Sequence, residues 1–497
     1  MLDQSCRVAL AGLLHDLGKF AERARLDVEA EKLETFKQLD CPHWDGRPTH
    51  IHAAYTTAGF LAIEPWLPDR AAVMAAPFAG PDDPDADDFL INAAARHHKP
   101  QTFLQWIIAT ADRLASGFER IQFDRYNQAA EGTTTGKNHY QARLLPLFES
   151  IALEGERSKC ADYCLPLAPL SAQALFPRPR REAEPANDAA AQAEYATLWQ
   201  GFVGALKKIP ASHRSNLALW LDHFDAAWLS FTHAIPSATA GNTRPDVALY
   251  DHGKAVAALA VALWRWHHEH GKVGADDTAA LKAHHDWDVP KFLLVQGDFS
   301  GIQDFIFAEG GETQHRAARL LRGRSFQVSL LTELAALAVL DALALPPTSQ
   351  IVNAAGKFLI VAPNTPATVE GLQKVRATID AWCVEHTFGE SSISIVAQPA
   401  SCEDFTQARF GGLIADLFAA LDAAKLSRFG LCGDEPPRPV LSADFGRGPC
   451  AFDGRRPARA TVDDKPASLL AADQIMIGKR LADPAYSRLL IARAGAD

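Results

Sequence analysis

The sequence has few cysteines, no long hydrophobic run and no excess of basic residues. Its 8 cysteines among 497 residues are too sparse for the framework of a disulfide-rich secreted protein. The longest clean apolar run, Ala255–Trp264, is about half as long as a membrane span. The apolar stretch Val8–Leu14 leads directly into His15 and Asp16 without a small-residue cleavage site. We therefore predict a cytoplasmic protein with reduced thiols, no signal peptide and no membrane partner.

The charge balance is acidic, with 49 lysines and arginines against 60 aspartates and glutamates and a net charge of −11. Such a chain does not attract nucleic acid through its overall field, so contact with a polyanion needs a local basic cluster or a metal ion. Hydrophobic residues make up 48% and charged residues 22%, as in a globular protein with a large core. The length predicts roughly three domains.

The pattern of apolar residues predicts an α+β protein whose helical and mixed regions follow one another along the chain. Residues 1–150 are predicted to form an all-α domain, and residues 151–285 a helical linker region. Residues 286–427 follow the order β-α-β-β-α-β-α of a ferredoxin-like or palm domain. Residues 428–497 are rich in Gly, Pro, Arg and Asp, which predicts a small irregular module.

Two local features are predicted within these regions. The stretch FPRPRREAEPANDAAAQAE, residues 176–194, has no apolar period and predicts an exposed loop. The segments SQIVNA and KFLIVAPN predict a β-hairpin that turns at Ala355–Gly356.

A histidine–aspartate pair lies near the end of the first predicted helix. The leucines from Leu10 to Leu17 fall at i, i+3, i+4 and i+7, so His15 and Asp16 lie on the opposite side of that helix. A solvated polar face is the simpler interpretation of the pair. Lys19, one turn further on, either contacts a phosphate or satisfies carbonyl groups at the helix end.

Further candidate ligands follow along the chain. The motif RHHKP places His97 and His98 before a helix that carries Asp112 at the edge of its apolar stripe. A carboxylate at such an edge is half-buried and needs a cation or hydrogen-bond donors. With His52, these groups supply enough nitrogen and oxygen ligands for one or two divalent metals, which lower the pKa of a bound water and clamp a phosphodiester. The combination of HDLGK, HHKP and ADRLASG indicates an HD-type phosphohydrolase.

Other histidines carry weaker signals. His43 and His50 are interpreted as surface residues of a loop. The pair Asp251–His252 reads as a reversed HD pair, but it has no partner histidine at a useful spacing. We interpret it as structural.

The mixed region contains two candidate phosphate contacts. In GDFSGIQDFIF, Ser300 is placed to cap a helix, which would leave backbone N–H groups free for a phosphate or simply complete a capped helix. A set of arginines with helical spacing suits phosphate contacts or a solvated face equally well. The members of that set are Arg316, Arg319, Arg322 and Arg324.

Several segments together resemble one known family. GDFSGIQDFIF, LRGRSFQVSLLTE, NAAGKFLIVAPN and DVALYDHGK, with HDLGK and ADRLASGFER, are similar to the large subunit of type III-A CRISPR effector complexes. The resemblance extends over nearly the whole chain. It implies an HD nuclease domain, two palm domains, a small zinc-binding module between them and a helical C-terminal domain.

The resemblance also implies chemistry. The HD domain would degrade single-stranded DNA, and paired palms would convert ATP to cyclic oligoadenylate, both when a guide RNA captures a target RNA. The implied cofactor is a divalent metal, Mn²⁺, Ni²⁺, Co²⁺ or Mg²⁺, and the implied partners are guide RNA, target RNA, other effector subunits and single-stranded DNA. The matching HD-domain residues are His15, Asp16, His52, His97, His98 and Asp112, and the implied nucleotide contacts are Ser300, Gly301 and Gln303. From their positions along the sequence, we place Lys19 with His15 and Asp16 as a catalytic candidate. The spacing of Arg316, Arg319, Arg322 and Arg324 makes them the candidate nucleic-acid contacts.

Two departures limit these expectations. The Gly-Gly-Asp-Asp turn of the second palm is missing, so we expect ATP binding only with a second palm and no cyclic oligoadenylate from this chain alone. The zinc module of the family carries two Cys-x-x-Cys knuckles, whereas this chain has Cys450 followed by Asp453 and, at the second knuckle, Ser468 and Ala471. A closed zinc site needs four ligands, so we expect no zinc there.

The leading hypothesis is a metal-dependent, single-strand-specific DNase within a type III CRISPR ribonucleoprotein. One alternative is a non-catalytic scaffold subunit of that complex. Another is an HD phosphohydrolase that acts on a nucleotide second messenger, which would need a small enclosed pocket.

Overall fold

The structure is a computed structural model, and it describes residues 1–68, 89–119, 139–151, 161–239, 243–430 and 442–491. Helices and small sheets are combined in one chain, as the prediction of an α+β protein requires. The helices of the first part are Leu2–Leu13, Leu17–Arg23, Ala30–Asp40, His52–Ile63, Leu90–Ala95, Phe103–Glu119, Arg180–Ala183, Asp188–Leu206, Leu217–Thr232, Leu249–Glu269 and Ala275–Ala283. Those of the second part are Ile302–Ile306, Ala317–Ala342, Pro366–Thr387, Gln407–Leu426 and Leu469–Arg480.

The centre of the helical part is the helix Leu249–Glu269, here called the central helix. Its run of alanine, valine, leucine and tryptophan is buried on nearly all sides, as expected of a helix that is apolar all round. It packs against the first helix, Leu2–Leu13, and against the helix Phe103–Glu119. A Cβ atom on Gly12 would lie 2.8 Å from the Cα of Ala257, so this glycine allows the first and central helices to touch. The helices Asp188–Leu206, Leu217–Thr232 and Ala275–Ala283 also pack against helices of the first 119 residues. In the described residues, the helical core thus extends past residue 150, and the domain bounds themselves stay predictions.

The predicted exposed loop near residues 176–194 is wrong. Arg178–Pro179 pairs with Tyr163–Cys164 as a short two-stranded sheet. The helix Asp188–Leu206 begins inside the stretch, where the Asn187 side chain accepts a hydrogen bond from the Ala190 N–H at 2.9 Å. The apolar period of this helix is hidden because its buried positions before Tyr195 are Asp188, Ala191 and Gln192, none of which is a large apolar residue.

The mixed part is built on a four-stranded antiparallel sheet. Its strands are β5 (Phe292–Ser300), β6 (Gln350–Ala354), β7 (Lys357–Pro363) and β8 (Ser392–Ala400), in the order β6-β7-β5-β8. The short strands elsewhere are β1 (His43–Trp44), β2 (Arg47–Pro48), β3 (Tyr163–Cys164), β4 (Arg178–Pro179), β9 (Ala460–Val462) and β10 (Lys465–Ala467). The sequence of strands and helices from β5 to Leu426 is the predicted one. The hairpin turns at Ala355 and Gly356, with φ of 54° and 80° as a tight hairpin turn demands.

The long helix Ala317–Ala342 follows the first strand of this sheet. Together with the preceding turn, this helix is long and apolar enough by composition to cross a membrane. One such helix is weak evidence for a membrane span, because core helices pass the same test. It packs instead against the sheet and against the helix Leu469–Arg480. The packing with that helix is close, because a Cβ on Gly478 would lie 1.9 Å from the Arg319 carbonyl oxygen.

Candidate metal centre

The His15–Asp16 pair lies in the turn that joins the first two helices. The first helix ends at Leu13, and Asp16 occupies the N-cap position of Leu17–Arg23. His15 Nδ1 donates to the Gly12 carbonyl oxygen at 2.7 Å, which directs Nε2 away from the helix. Both side chains are buried, with His15 0% and Asp16 2% exposed. The interpretation of this pair as a solvated face is therefore wrong.

A second turn presents His97 in the same way. The helix Leu90–Ala95 ends just before His97, whose Nδ1 donates to the Ala94 carbonyl oxygen at 2.6 Å. The His15 and His97 rings lie 4.8 Å apart between centroids, edge to face. His97 Nε2 lies 4.0 Å from Asp16 Oδ1, so two separate turns direct their imidazoles to one carboxylate.

His52 and His98 extend the group towards solvent. His52 is the first residue of its helix, and its Nε2 lies 3.0 Å from His98 Nε2 and 3.4 Å from Asp16 Oδ1. A Cβ on Gly18 would lie 1.8 Å from the His52 carbonyl oxygen, so glycine there lets the two helices meet and brings His52 to the pair. His50, predicted to be a surface residue, is exposed but lies 4.2 Å from the His98 ring.

The central helix adds a histidine that the sequence interpretation left out. His252 Nε2 lies 3.1 Å from Asp112 Oδ1 and 3.7 Å from Asp16 Oδ2, and the residue is 2% exposed. On its other side, His252 Nδ1 donates to Glu119 Oε2 at 2.8 Å. The structural interpretation of the pair Asp251–His252 is corrected for His252, because its partners come from distant segments that spacing along the chain does not reveal. The available signal was the family-like segment DVALYDHGK.

These residues form three groups of three. Within each group, the ligand atoms all lie within 4.8 Å of one another. The groups are His52–His97–His98, His15–Asp112–His252 and His15–Asp16–His97. Three buried atoms of the cluster, His15 Nε2, Asp16 Oδ1 and His97 Nε2, have no hydrogen-bond partner. Because buried polar atoms are normally paired, these atoms fit a cation. Imidazole and carboxylate together suit a divalent transition metal.

The protonation of the cluster suits the same chemistry. Burial and the neighbouring His15 lower the pKa of His97 to about 4. Burial also lowers the pKa of His52 and of His98, and neighbouring cationic groups add to the effect. Metal ligands must be neutral imidazoles and ionised carboxylates, so these histidines need no deprotonation at neutral pH.

The two aspartates stay ionised despite their burial. Burial acts to raise the pKa of Asp16, but the Lys19 ammonium and the His15 imidazole hold it well below its usual range. Burial likewise acts to raise the pKa of Asp112, but the hydrogen bond from His252 and the charges of His15, His252 and His97 together hold it well below its usual range.

His252 differs from the other histidines because it lies between two carboxylates. Burial acts to lower the pKa of His252, but Glu119 and Asp112 raise it to about 10. A metal at its Nε2 would therefore have to displace a proton.

Lys19 lies at the edge of the cluster, and its Nζ donates to Asp16 Oδ2 at 2.5 Å. The ammonium group of Lys19 thus pairs with a carboxylate and not with the carbonyl groups at the helix end. Its side chain is 16% exposed.

The predicted nucleotide contacts in the sheet region lie differently from the expectation. Ser300 is the last residue of β5 and does not cap a helix, because the N-cap position belongs to Gly301, with φ of 83°. The helix that follows, Ile302–Ile306, has only five residues, and Gln303 on it is exposed. The proposed phosphate contact at a helix N-terminus therefore loses its structural basis, and a role for these residues in nucleotide binding stays a prediction.

The four arginines do not form a free basic stripe. Arg324 is 1% exposed and donates to the carbonyl oxygens of Ala308 and Phe452 at 2.7 and 3.0 Å. Arg322 donates to the Gly478 carbonyl oxygen at 2.6 Å, and Arg316 pairs with Asp463. These three side chains join the long helix to the C-terminal module. Nucleic-acid contact is wrong for Arg324, which is enclosed. It stays a prediction for half-buried Arg316 and Arg319 and for exposed Arg322.

The positions of the family's zinc knuckles do meet in the C-terminal module. Asp453 is fully buried, and its Oδ1 accepts the N–H groups of Arg455 and Arg456 at 3.1 and 3.0 Å. Its Oδ2 accepts the Ser468 hydroxyl at 2.9 Å and the Arg456 guanidinium at 3.2 Å. Cys432 lies outside the described residues. Among those described, one thiol and an arginine-paired carboxylate meet at this site, and this set does not fit a zinc ion.

Known proteins resemble this chain in sequence. Residues 291–434 match the family described as Csm1 subunit domain B. A single-strand-specific deoxyribonuclease Cas10/Csm1 of subtype III-A from Thermococcus onnurineus is 31% identical over 207 residues, 41% of this chain and 25% of that protein. The corresponding protein of Enterococcus italicus is 26% identical over 335 residues, 65% of this chain and 40% of that protein. The resemblance drawn from the sequence motifs is thereby confirmed.

Solved structures resemble it in fold. A Csm1–Csm4 cassette in complex with pppApA aligns with a TM-score of 0.56 and 22% identity, over 86% of this chain and 50% of that chain. A cassette in complex with AMPPNP aligns with the same TM-score and identity over the same shares. The chain therefore spans about half of the solved Csm1 chains and a smaller share of the curated relatives it matches.

Proposed function

We propose that this chain is the HD and first palm portion of the large subunit of a type III-A CRISPR effector complex, and that its histidine–aspartate cluster is a metal-dependent, single-strand-specific DNase. The observation that carries this proposal is the convergence of His15, Asp16, His97, Asp112 and His252. Within this set, one buried ligand atom each of His15, Asp16 and His97 has no hydrogen-bond partner. The name of the curated relatives, single-strand-specific deoxyribonucleases, supports the choice of substrate.

The cluster has room for two sets of ligands. The groups His52–His97–His98 and His15–Asp112–His252 share no residue, and Asp16 lies between them. This division favours two ions over one, and Mn²⁺, Ni²⁺, Co²⁺ or Mg²⁺ are the candidates. When bound, such a metal supplies an activated water and stabilises the leaving oxygen of a phosphodiester.

The side chains of the chain itself prepare this chemistry. The backbone carbonyls of Gly12 and Ala94 hold His15 and His97 with Nε2 directed inwards. Asp16 and Asp112 supply the negative charge that offsets the metal. Lys19, at the solvent-facing edge, is the candidate contact for the scissile phosphate, which would compete with its ion pair to Asp16.

The other regions extend the proposal to the assembly. We assign an HD-type domain to the helical core, a palm domain to residues 286–427 and a degenerate zinc-knuckle module to residues 428–497. ATP binding near Ser300 and Gly301 would need a second palm. Guide RNA, target RNA and other effector subunits are the proposed partners in the cytoplasm, and a Csm4-type subunit is among them because the fold relatives are Csm1–Csm4 cassettes.

The test is cleavage of end-labelled single-stranded DNA by the purified chain in Mn²⁺, beside a His15→Ala/Asp16→Ala variant and an EDTA control. We expect cleavage by the parent alone. Cleavage that survives in the variant would overturn the assignment. If neither cleaves, the same pair is assembled with guide RNA and partner subunits, and inactivity of both complexes would favour the scaffold alternative. Hydrolysis of a cyclic dinucleotide with intact DNA would favour the second-messenger alternative.

A further inference from the structure

Glu119 is a largely enclosed carboxylate beside the cluster, with a side chain that is 10% exposed. It lies seven residues after Asp112 on the helix Phe103–Glu119, so both carboxylates lie on the same side of that helix, two turns apart. Asp112 Oδ1 is 3.1 Å from His252 Nε2, and Glu119 Oε2 is 2.8 Å from His252 Nδ1. One helix thus holds the His252 imidazole from both sides.

The other two inward-directed histidines do not need such a partner. His15 and His97 each follow the end of a helix, and each donates Nδ1–H to a backbone carbonyl three residues earlier. His252 lies within the first turn of the central helix, and the Ala248 carbonyl oxygen already accepts its backbone N–H at 3.0 Å. A side chain from another helix is therefore the acceptor for its Nδ1–H.

We propose that Glu119 is a positioning residue that holds the His252 imidazole with Nε2 towards the metal and strengthens it as a ligand. This inference rests on the proposed function, because it concerns the same site. A carboxylate that accepts the second N–H of a metal-binding histidine fixes the ring and raises its basicity. Among the histidines of the cluster in the part of the chain described, His252 has the closest carboxylate contact at Nδ1.

The variants Glu119→Gln and Glu119→Ala separate orientation from charge. The amide oxygen of Gln still accepts Nδ1–H but carries no charge, whereas Ala removes both. Glu119 lines a cavity of about 390 Å³ between the central helix and the sheet. Truncation to Ala enlarges this cavity and forces no neighbouring side chain to move. Glu22→Gln is the matched control, because Glu22 is a similarly buried glutamate that faces His139 at 3.9 Å, outside the cluster.

The first measurement is Mn²⁺ affinity of the full chain, read from the free-Mn²⁺ signal in electron paramagnetic resonance. We expect Glu119→Ala to bind about 10- to 100-fold more weakly, Glu119→Gln to lie between it and the parent, and Glu22→Gln to match the parent. The second is the visible absorption spectrum with Co²⁺, whose bands shift when a ligand field changes. We expect a shift in both Glu119 variants and none in Glu22→Gln.

The outcomes separate this inference from the proposed function. If the parent binds Mn²⁺ and His15→Ala/Asp16→Ala does not, while both Glu119 variants bind and absorb like the parent, the role of Glu119 is overturned and the metal centre stands. If the parent itself binds no Mn²⁺, both are overturned. Equal weakening in Glu22→Gln would show a general loss of packing and would also overturn the positioning role.

Discussion

Two centres of this chain each hold a buried aspartate, and they differ in what surrounds its carboxylate. Asp16 lies among histidines, and its Oδ1 has no hydrogen-bond partner. Asp453 lies in the C-terminal module, and both of its oxygens are satisfied by backbone N–H groups, Arg456 and Ser468. Both side chains are almost completely buried.

The difference teaches how to tell a ligand site from a structural site. A carboxylate whose acceptors are all filled by the protein has nothing left to offer a metal, and removing it strands its partners. A carboxylate that is buried, ionised and only partly paired carries a desolvation cost that a cation would offset. Arg456 ties Asp453 further into the structure, because its guanidinium also donates to Glu390 beside the sheet.

The largest expected effect is on stability, and it comes from removing Asp453, the carboxylate whose oxygens are both paired. Asp453→Ala strands two buried backbone N–H groups and the Ser468 hydroxyl, and it leaves Arg456 with Glu390 in place of two carboxylates. We therefore expect a loss of about 3–5 kcal/mol in the free energy of unfolding. Urea denaturation measures this. Asp473→Ala, on an exposed position of the same module, should change stability by less than about 0.5 kcal/mol. A loss of similar size in both variants would remove the distinction drawn for Asp453, and Mn²⁺ affinity should not change in either.

Breaking the open centre should affect metal binding more than stability. His252→Ala removes one ligand from the group with His15 and Asp112, so we expect Mn²⁺ affinity to fall at least about 100-fold, beyond the loss expected for an outer partner. The measurement is a Mn²⁺ titration. His267→Ala is the matched control. His267 is an equally buried histidine of the same helix, and its Nδ1 donates to the backbone carbonyl oxygen of Lys272. Unchanged affinity in His252→Ala would exclude it from the ligands.

The smallest effect is the pH dependence of stability in the metal-free chain. Burial, with the Lys291 ammonium, lowers the pKa of His267 to about 4, below its usual 6.5. Between these values the unfolded chain binds more protons than the folded chain, so stability falls as pH falls from 7 to 5, by ~1–2 kcal/mol for this residue. His267→Gln should lose correspondingly less stability over that interval in urea denaturation. Parallel pH profiles for parent and variant would contradict the assignment.

Local patterns predicted much of the sheet region. The order of strands and helices follows from short apolar runs and helical periods, and the turn at Ala355–Gly356 follows from residues that adopt positive φ. The prediction that Ser300 is an N-cap was wrong. Strand β5 continues through Gly297 and Asp298 and pairs Ser300 with Ser392, which lies 92 residues away along the chain. Strand pairing decided that boundary, and strand pairing is not a local property.

The arginines of the long helix show the same limit. Their spacing indicated a basic stripe, yet Arg324 is enclosed by carbonyl groups of residues 306, 308 and 452. Spacing tells which residues share a side of a helix, and it cannot tell what covers that side.

The sequence by itself determined most of the element types and placed residue types that could bind a metal at His15, Asp16, His97 and Asp112, because these depend on residue identity and short spacing. Tertiary structure alone decided that His252 and Glu119 reach the cluster, that Arg324 is internal and that Asp453 is fully paired. The physical reason is that ligation and hydrogen bonding act over about 3 Å in space, whereas these partners lie more than 100 residues apart, or on separate elements, along the chain.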